Sequence, residues 1–354
     1  MRCEGRESGS GKRESTEAIP ASRFPLPDHT RRRFLAVMAT LLAACDPREF
    51  ARRHGARLRL SVATGPTGGV YYVYGGGIAK VISGHVPNVE ATAEVTSASV
   101  DNLKLLRDGK VDLALTLATT AADAAAGSGA FADLGRVPVA ALAVLYTQYT
   151  HLVKLERTGI ARIADLRGRV VALGGPGSGT EDIALRLLRA SGLDPARDLR
   201  AQGLGVNAAA DALKDGKIDA FFWSSGLPAG ALLDLASTPG RGMRLVPNGE
   251  ALAALQRAHG AGLYHRADIP AGAYPGLDHD VATVATTTLL VVDRGMPEQL
   301  AYDITRALFD HRDELVAIHP EALNLTMESA AAGAPVAYHA GAERAYREAG
   351  AWPA

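Results

Sequence analysis

The chain has 354 residues, 47% of them apolar, with 38 basic and 38 acidic side chains and a formal charge of zero. That length leaves room for two domains with ordinary cores, and the balanced charge gives no footprint for nucleic acid. Both cysteines, Cys3 and Cys45, precede the folded part, which excludes a disulfide framework or a cysteine metal site in the body.

Residues 1–29 are polar, without an apolar period, and read as disordered. Gly9-Ser10-Gly11-Lys12 imitates part of a phosphate loop, but Arg13 stands where Ser or Thr is needed and no strand precedes it. Thr30-Arg31-Arg32-Arg33-Phe34-Leu35 matches the twin-arginine export pattern. The apolar run Phe34 to Ala44 is far shorter than the roughly 20 residues a membrane span requires, and suits a signal region. It ends Leu42-Ala43-Ala44-Cys45, a lipobox pattern that makes Cys45 the residue to be acylated and tied to a membrane. The expected organisation is therefore a signal region over 1–45 and a tether over 46–57, placing the body in the periplasm, free or anchored to the outer face of the inner membrane. Without those first 44 residues, eight basic and five acidic, the remainder holds 30 basic and 33 acidic groups, a net of −3.

From Leu58 the pattern is one plan used twice. The first copy runs strand (Leu58–Ala63), glycine loop Thr64 to Gly69, helix (Val73–Ser83), strand (Asn88–Val95), helix (Val100–Asp108) and strand (Val111–Leu117). The second runs strand (Val170–Leu173), glycine loop Gly174 to Thr180, helix (Glu181–Ala190), strand (Leu199–Leu204), helix (Asn207–Asp215) and strand (Ile218–Trp223). Leu106-Arg107-Asp108-Gly109-Lys110-Val111-Asp112 and Leu213-Lys214-Asp215-Gly216-Lys217-Ile218-Asp219 repeat a helix end, a C′ glycine and a buried strand. Strand–helix alternation predicts an α/β fold of mainly parallel sheets with ligand sites at the strands' carboxyl ends. Val137 to Leu155 reads as a crossover strand and Val281 to Val292 as the return, so two extended crossings make a hinge. The expected lobes are 58–148 and 149–280, with 281–354 returning to put helices Pro297–His311 and Gly341–Ala349 on the first.

A glycine turn between strand and helix leaves the helix's first N–H groups outward-facing at the positive end of its dipole, a ready anion site. Thr67, Gly68 and Gly69 in the first loop, and Gly177, Ser178, Gly179 and Thr180 in the second, are the expected cradle for one small anion held between the lobes. Charge-assisted hydrogen bonds of roughly 1.5–3 kcal/mol each reach micromolar affinity, about −8 kcal/mol, with three or four. Tyr71 and Tyr72 open the first helix, one ring free to close over the ligand and the other to pack inward, with Tyr72 favoured for the ligand. Ser97, Ser99 and Asn102 sit beyond the second strand, where Ser99 also suits a helix N-cap. Thr116, Trp223 and Ser224 end strands that face the cleft, and Tyr274 lies on a loop between Gly272 and Gly276.

Several stretches resemble the TAXI family, the extracytoplasmic solute receptors of TRAP transporters, over most of residues 58–350. They are Thr67-Gly68-Gly69-Val70-Tyr71-Tyr72, Ser97-Ala98-Ser99-Val100-Asp101-Asn102-Leu103, Gly177-Ser178-Gly179-Thr180 and Ile269-Pro270-Ala271-Gly272-Ala273-Tyr274-Pro275-Gly276, in the family's order. The tail Ala337-Tyr338-His339-Ala340-Gly341-Ala342 keeps the family's histidine and glycine but lacks both of its prolines. The resemblance implies a two-lobed type II periplasmic-binding-protein fold, no catalysis, no cofactor, and delivery of a dicarboxylate, 2-oxo acid or acidic amino acid to a TRAP permease by a monomeric receptor.

Other readings stay open at this level. A receptor of the same fold can serve an ABC importer or a sensor kinase. An exported hydrolase would need a nucleophile elbow, and Gly177-Ser178-Gly179 suits a backbone cradle better. Gly174–Gly179 imitates a dinucleotide fingerprint interrupted by Pro176. No two of the ten histidines stand at helical metal-ligand spacing. Asp278-His279-Asp280 reads as a solvated loop, His339 as structural, and the Arg306–Glu314 charges as the wet face of a helix.

Overall fold

The structure is a computed structural model that describes residues 57–240 and 242–353. The twin-arginine pattern, the signal region, Cys45 and the tether up to residue 56 lie outside the described residues. Among the described residues, no helix is long and apolar enough to cross a membrane.

In chain order the first half comprises β1 (Leu58–Ala63), α1 (Val70–His85), β2 (Val89–Glu94), α2 (Ser99–Arg107), β3 (Leu113–Leu117) and α3 (Ala118–Ala126). The crossing strand β4 (Val139–Leu155) leads to β5 (Val170–Ala172), α4 (Gly179–Ala190), β6 (Arg200–Gln202), α5 (Val206–Lys214) and β7 (Ala220–Ser225). Then come α6 (Gly230–Ser237), β8 (Met243–Leu245), α7 (Leu252–His259), β9 (His265–Ile269) and the returning β10 (Val281–Asp293). The tail adds α8 (Glu298–Asp310), α9 (Arg312–Ile318), the short α10 (Met327–Ala330) and α11 (Ala340–Glu348).

The strand order β2-β1-β3-β10-β4-β7-β5-β6 contains the repeat in space as well as in sequence. In the first half β2, β1 and β3 are parallel and β10 joins β3 antiparallel. In the second half β6, β5 and β7 are parallel and β4 joins β7 antiparallel. β4 and β10 pair with each other from Tyr149–Ala285 to Val139–Asp293, so the two crossings are the seam where the halves meet. At about 3.3 Å per residue, β4 alone has the length to run through both. The fold is thus mixed α/β, a central sheet flanked by helices.

The repeated helix ends carry matching hydrogen bonds. Gly109 and Gly216 take φ of 64° and 74° at the equivalent C′ position, where a side chain on Cβ would be strained. Asp112 then accepts the Ser61 N–H at 2.9 Å and gives its own N–H to the Ser61 carbonyl at 3.0 Å. Asp219 repeats both bonds with Val170, each at 2.8 Å. The Gly-Lys-Val-Asp and Gly-Lys-Ile-Asp runs are therefore clasps that fix β3 and β7 against β1 and β5.

The tail helices α8 and α9 pack against α1, and α11 packs on α8. His339 caps α11 by accepting the Gly341 N–H at 3.2 Å on Nδ1 while Nε2 donates to the Met296 carbonyl at 2.9 Å. The His339 N–H also reaches the Ala141 carbonyl at 2.9 Å. These bonds pin to β4 the segment that lacks both family prolines. A Cβ on Gly341 would overlap the Glu298 carbonyl and stand 2.6 Å from the Tyr302 amide. Backbone does not yield as a side chain does, so Gly341→Ala is expected to lower stability by about 1–3 kcal/mol or more, read from urea unfolding midpoints.

Candidate functional site

Three helix amino termini converge where the halves face each other. Gly69 and Val70 open α1, Ala98 and Ser99 open α2, and Gly179 and Thr180 open α4, and all six line one cleft. Pro66, Tyr71, Leu117, Gln148, Trp223, Ser224 and Ser225 complete it, closing in on a narrow space of about 20 Å³. First-turn N–H groups have no partner within their own helix, and the dipoles add positive potential. No lining side chain is ionised at neutral pH.

The cleft is rich in polar atoms that the protein leaves unused. Gln148 Oε1, Trp223 Nε1, Ser224 Oγ and Ser225 Oγ are buried without a hydrogen-bond partner, as are the hydroxyls of Tyr146, Thr286 and Thr288 on the crossing strands. Leaving each such group unsatisfied costs about 1–3 kcal/mol, so a cluster of them marks a place built for a polar guest. Tyr71 is buried, with its hydroxyl 3.5 Å from Ser99 Oγ. Burial pushes its phenol up to about 12, so it faces the cleft as a neutral hydroxyl. Ala98 holds φ of 85°, a conformation costly for a residue with a Cβ, at the very lip of the cleft.

The two glycine loops meet the opposite half, each through its missing side chain. A Cβ on Gly69 would lie 2.8 Å from the Trp223 ring, and one on Gly68 would overlap Asn207 Oδ1 and reach 3.0 Å from Ala231 Cβ. A Cβ on Gly179 would lie 2.5 Å from Leu117 Cδ1 and 2.7 Å from Ser99 Oγ. Reciprocal backbone bonds accompany these contacts. Ala231 N–H donates to the Gly68 carbonyl and Asp101 N–H to the Gly177 carbonyl, both at 3.1 Å.

Of the residues expected from sequence, Gly69, Tyr71, Ser99, Gly179, Thr180, Trp223 and Ser224 come together here. The others do not line it. Thr67 and Gly68 lie in the adjoining groove with Asn207, Ala231 and Asp234, where Thr67 Oγ1 accepts from Asn207 at 3.4 Å. They and Gly177 act as contacts between the halves. Tyr72, 37% exposed, points away from the cleft that its neighbour Tyr71 enters. Ser97 lies beside the cleft, its N–H 3.4 Å from Asp101 Oδ2. Asn102 spends its amide on the Thr64 and Leu115 carbonyls, both at 2.7 Å, tying α2 to β1 and β3. The Thr116 hydroxyl is 3.4 Å from the Leu117 carbonyl, and Ser178 caps α4 by accepting the Glu181 N–H at 3.1 Å.

Tyr274 is part of a buried relay beneath Trp223. His151 Nδ1 donates to the Tyr149 and Trp223 carbonyls at 3.1 Å, so Nε2 accepts from the Tyr274 hydroxyl at 3.0 Å. That oxygen in turn accepts the Ala229 N–H at 3.2 Å. Burial lowers the His151 pKa from 6.5 to about 4, despite the two carbonyls that favour the charged ring. The folded state therefore prefers the neutral imidazole. Its contribution is complete above pH 6.5, falls as pH drops, and is lost below 4, a difference of about 3 kcal/mol. His319 and His339, also lowered by burial, act with the same sign. Urea unfolding at pH 7 and pH 4 is expected to show a wild-type loss about 3 kcal/mol larger than that of His151→Gln.

Sequence reasoning missed Pro66, Val70, Ala98, Leu117, Gln148 and Ser225. Gln148 had a signal: an amide directly after the apolar run Val139 to Leu145 of the crossing strand and the Tyr146-Thr147 pair, opposite Thr286 in the register. It also missed a cluster formed only by folding. His85, at the far end of α1, has Nε2 2.6 Å from Glu314 Oε1 and its ring stacked on His311 at 3.3 Å. Among the described residues these three could hold a metal ion. They stand about 20 Å from the cleft, the length of α1.

A family model described as NMT1-like matches residues 62–350. The chain belongs to the NMT1-like family. Among solved structures, this NMT1-like chain is similar to the periplasmic aliphatic sulphonate binding protein SsuA from Escherichia coli, at 17% identity and TM-score 0.43, over 82% of this chain and 83% of that one. It is also similar to the alkanesulfonate-binding protein SsuA from Xanthomonas axonopodis pv. citri, at 18% identity and TM-score 0.45, over 82% and 84%. A putative L-cystine ABC transporter from Listeria monocytogenes aligns at 15% identity and TM-score 0.47, over 75% and 96%.

Proposed function

We propose that this protein is an extracytoplasmic solute-binding protein that captures a small organic anion between its halves and delivers it to a TRAP permease. The observation that carries this reading is the convergence of three helix amino termini with four unpartnered buried polar atoms in one cleft. Neither loop alone encloses a guest. The loops touch the opposite half through Gly69 and Gly179, so bending at the β4 and β10 seam would open and shut the cleft. Closure is favoured only by the ligand's greater affinity for the closed form.

A receptor for an ABC importer would use the same cleft, and capture by one purified permease or the other decides between them. Export through the twin-arginine pattern and anchorage through a lipid on Cys45 complete the proposal.

A thermal-shift screen of dicarboxylates, 2-oxo acids, short monocarboxylates and acidic amino acids tests ligand capture. A ligand present at 100 times its Kd stabilises the folded chain by about 2.7 kcal/mol, an expected rise of several degrees in Tm. A complete panel that leaves Tm unmoved would contradict the reading.

A further inference from the structure

We propose that the cleft selects a small monoanion with an apolar body and no ammonium group, a short-chain monocarboxylate or 2-oxo acid in preference to an amino acid or a dicarboxylate. This rests on the solute-binding reading above and narrows it. The anion end is set by α1, α2 and α4, helices of 16, 9 and 12 residues whose first turns line one space. The Trp223 indole N–H is a further neutral donor, on a side chain 5% exposed and without a partner. One carboxylate suits such a set, because N–H and O–H donors share a single negative charge without needing a cation.

An ammonium group meets the opposite conditions. It would face three positive dipole ends with no carboxylate in the lining. The acidic side chains near the mouth already have backbone partners. Glu321 Oε1 accepts the Leu227 N–H at 2.6 Å, Glu181 Oε2 the Gly177 N–H at 2.9 Å, and Asp101 Oδ2 the Ser97 N–H at 3.4 Å. A buried cation without a counter-charge is costly. A second ligand carboxylate meets the same shortage reversed, since neither Lys nor Arg lines the cleft. The remaining wall is apolar: Pro66, Val70, Ala98, Leu117 and the Trp223 ring. That wall suits a short hydrocarbon body, and the narrowness of the space between the halves, about 20 Å³ as they stand, keeps it small.

The test uses the folded chain carrying Trp352→Phe, which leaves Trp223 as the only tryptophan, since the sequence has two. Pyruvate, 2-oxobutyrate and 4-methyl-2-oxopentanoate are titrated beside alanine, 2-aminobutyrate and leucine, their amino counterparts, and beside succinate, 2-oxoglutarate and glutamate. At least one monoanion is expected to change Trp223 emission saturably and to bind at least 100-fold tighter than its amino counterpart and the dicarboxylates. Gln148→Glu, which adds a negative charge at an almost unchanged shape, is expected to weaken that binding at least 100-fold while circular dichroism stays unchanged. Equal or tighter binding of an amino acid or dicarboxylate with a Trp223 signal overturns this inference and leaves the solute-binding reading standing. Silence of Trp223 across all nine compounds overturns both.

Discussion

Gly179→Val is expected to weaken ligand capture at least 100-fold, about 3 kcal/mol, while leaving the unliganded fold cooperative. Gly179 opens α4 and has no side chain where Leu117 and Ser99 of the opposite half approach. A valine there would meet Leu117 Cδ1 at 2.5 Å and Ser99 Oγ at 2.7 Å with its Cβ alone, before its two methyl groups are placed. Side-chain ends can move aside, but here moving aside means prising the halves apart. The helix itself tolerates the change, because Ser178 still caps it and Gly179 has an ordinary φ. The cost therefore falls on closure. Gly68→Val should act from the other loop, against Asn207 and Ala231. Because both wedges block one movement, the double variant should lose less than the two single losses added. Calorimetric titration beside thermal unfolding checks this, and unchanged affinity in Gly179→Val contradicts it.

Arg186→Met is expected to be the more damaging to stability, at about 3–5 kcal/mol. The Arg186 side chain is 7% exposed and holds Asp182 through one hydrogen bond to Oδ1 at 3.0 Å and an ion-pair contact with Oδ2 at 2.9 Å. It also pairs with Asp123 on α3 of the first half and lies 3.3 Å from the Tyr264 hydroxyl. Burial already raises the Asp182 pKa against the pull of this arginine. Removing the arginine leaves two partly buried carboxylates repelling each other across the seam between the halves. Adding Asp123→Asn and Asp182→Asn to Arg186→Met should restore much of the loss, since a neutral cluster has no charge to strand. Denaturant unfolding of the three chains decides it. A loss below about 1 kcal/mol, the value of an exposed pair, contradicts the account.

Much of the frame was legible because its signals are local. The paired Gly-Lys-Val-Asp and Gly-Lys-Ile-Asp runs, the glycine loops and the two long apolar crossings each announce themselves within a dozen residues. Boundaries moved by tertiary packing: α1 starts at Val70, three residues before its apolar period suggested, because Tyr71 is pulled inward to the cleft. The alanine-rich α3, ended by Gly127 at φ of 68°, was passed over although its composition favours helix.

The site was half legible for a similar reason. A glycine loop shows where backbone is free to approach something, but not whether that something is a ligand or the other half. Gly69 and Gly179 reach the cleft, whereas Gly68 and Gly177 hold the halves together. Choosing Tyr71 over Tyr72 depends on which way α1 rolls against β2, and Gln148 matters only because β4 and β10 put it on the cleft floor.

The central claim is that a ligand sits against Trp223 between the two glycine loops. Titrating the Trp352→Phe chain with the compound that raises Tm most, while recording Trp223 emission, tests it most directly. The account predicts a saturable change whose midpoint matches the Kd from calorimetry and which disappears in Gly179→Val. Tight calorimetric binding with Trp223 emission unmoved would place the ligand elsewhere and contradict it.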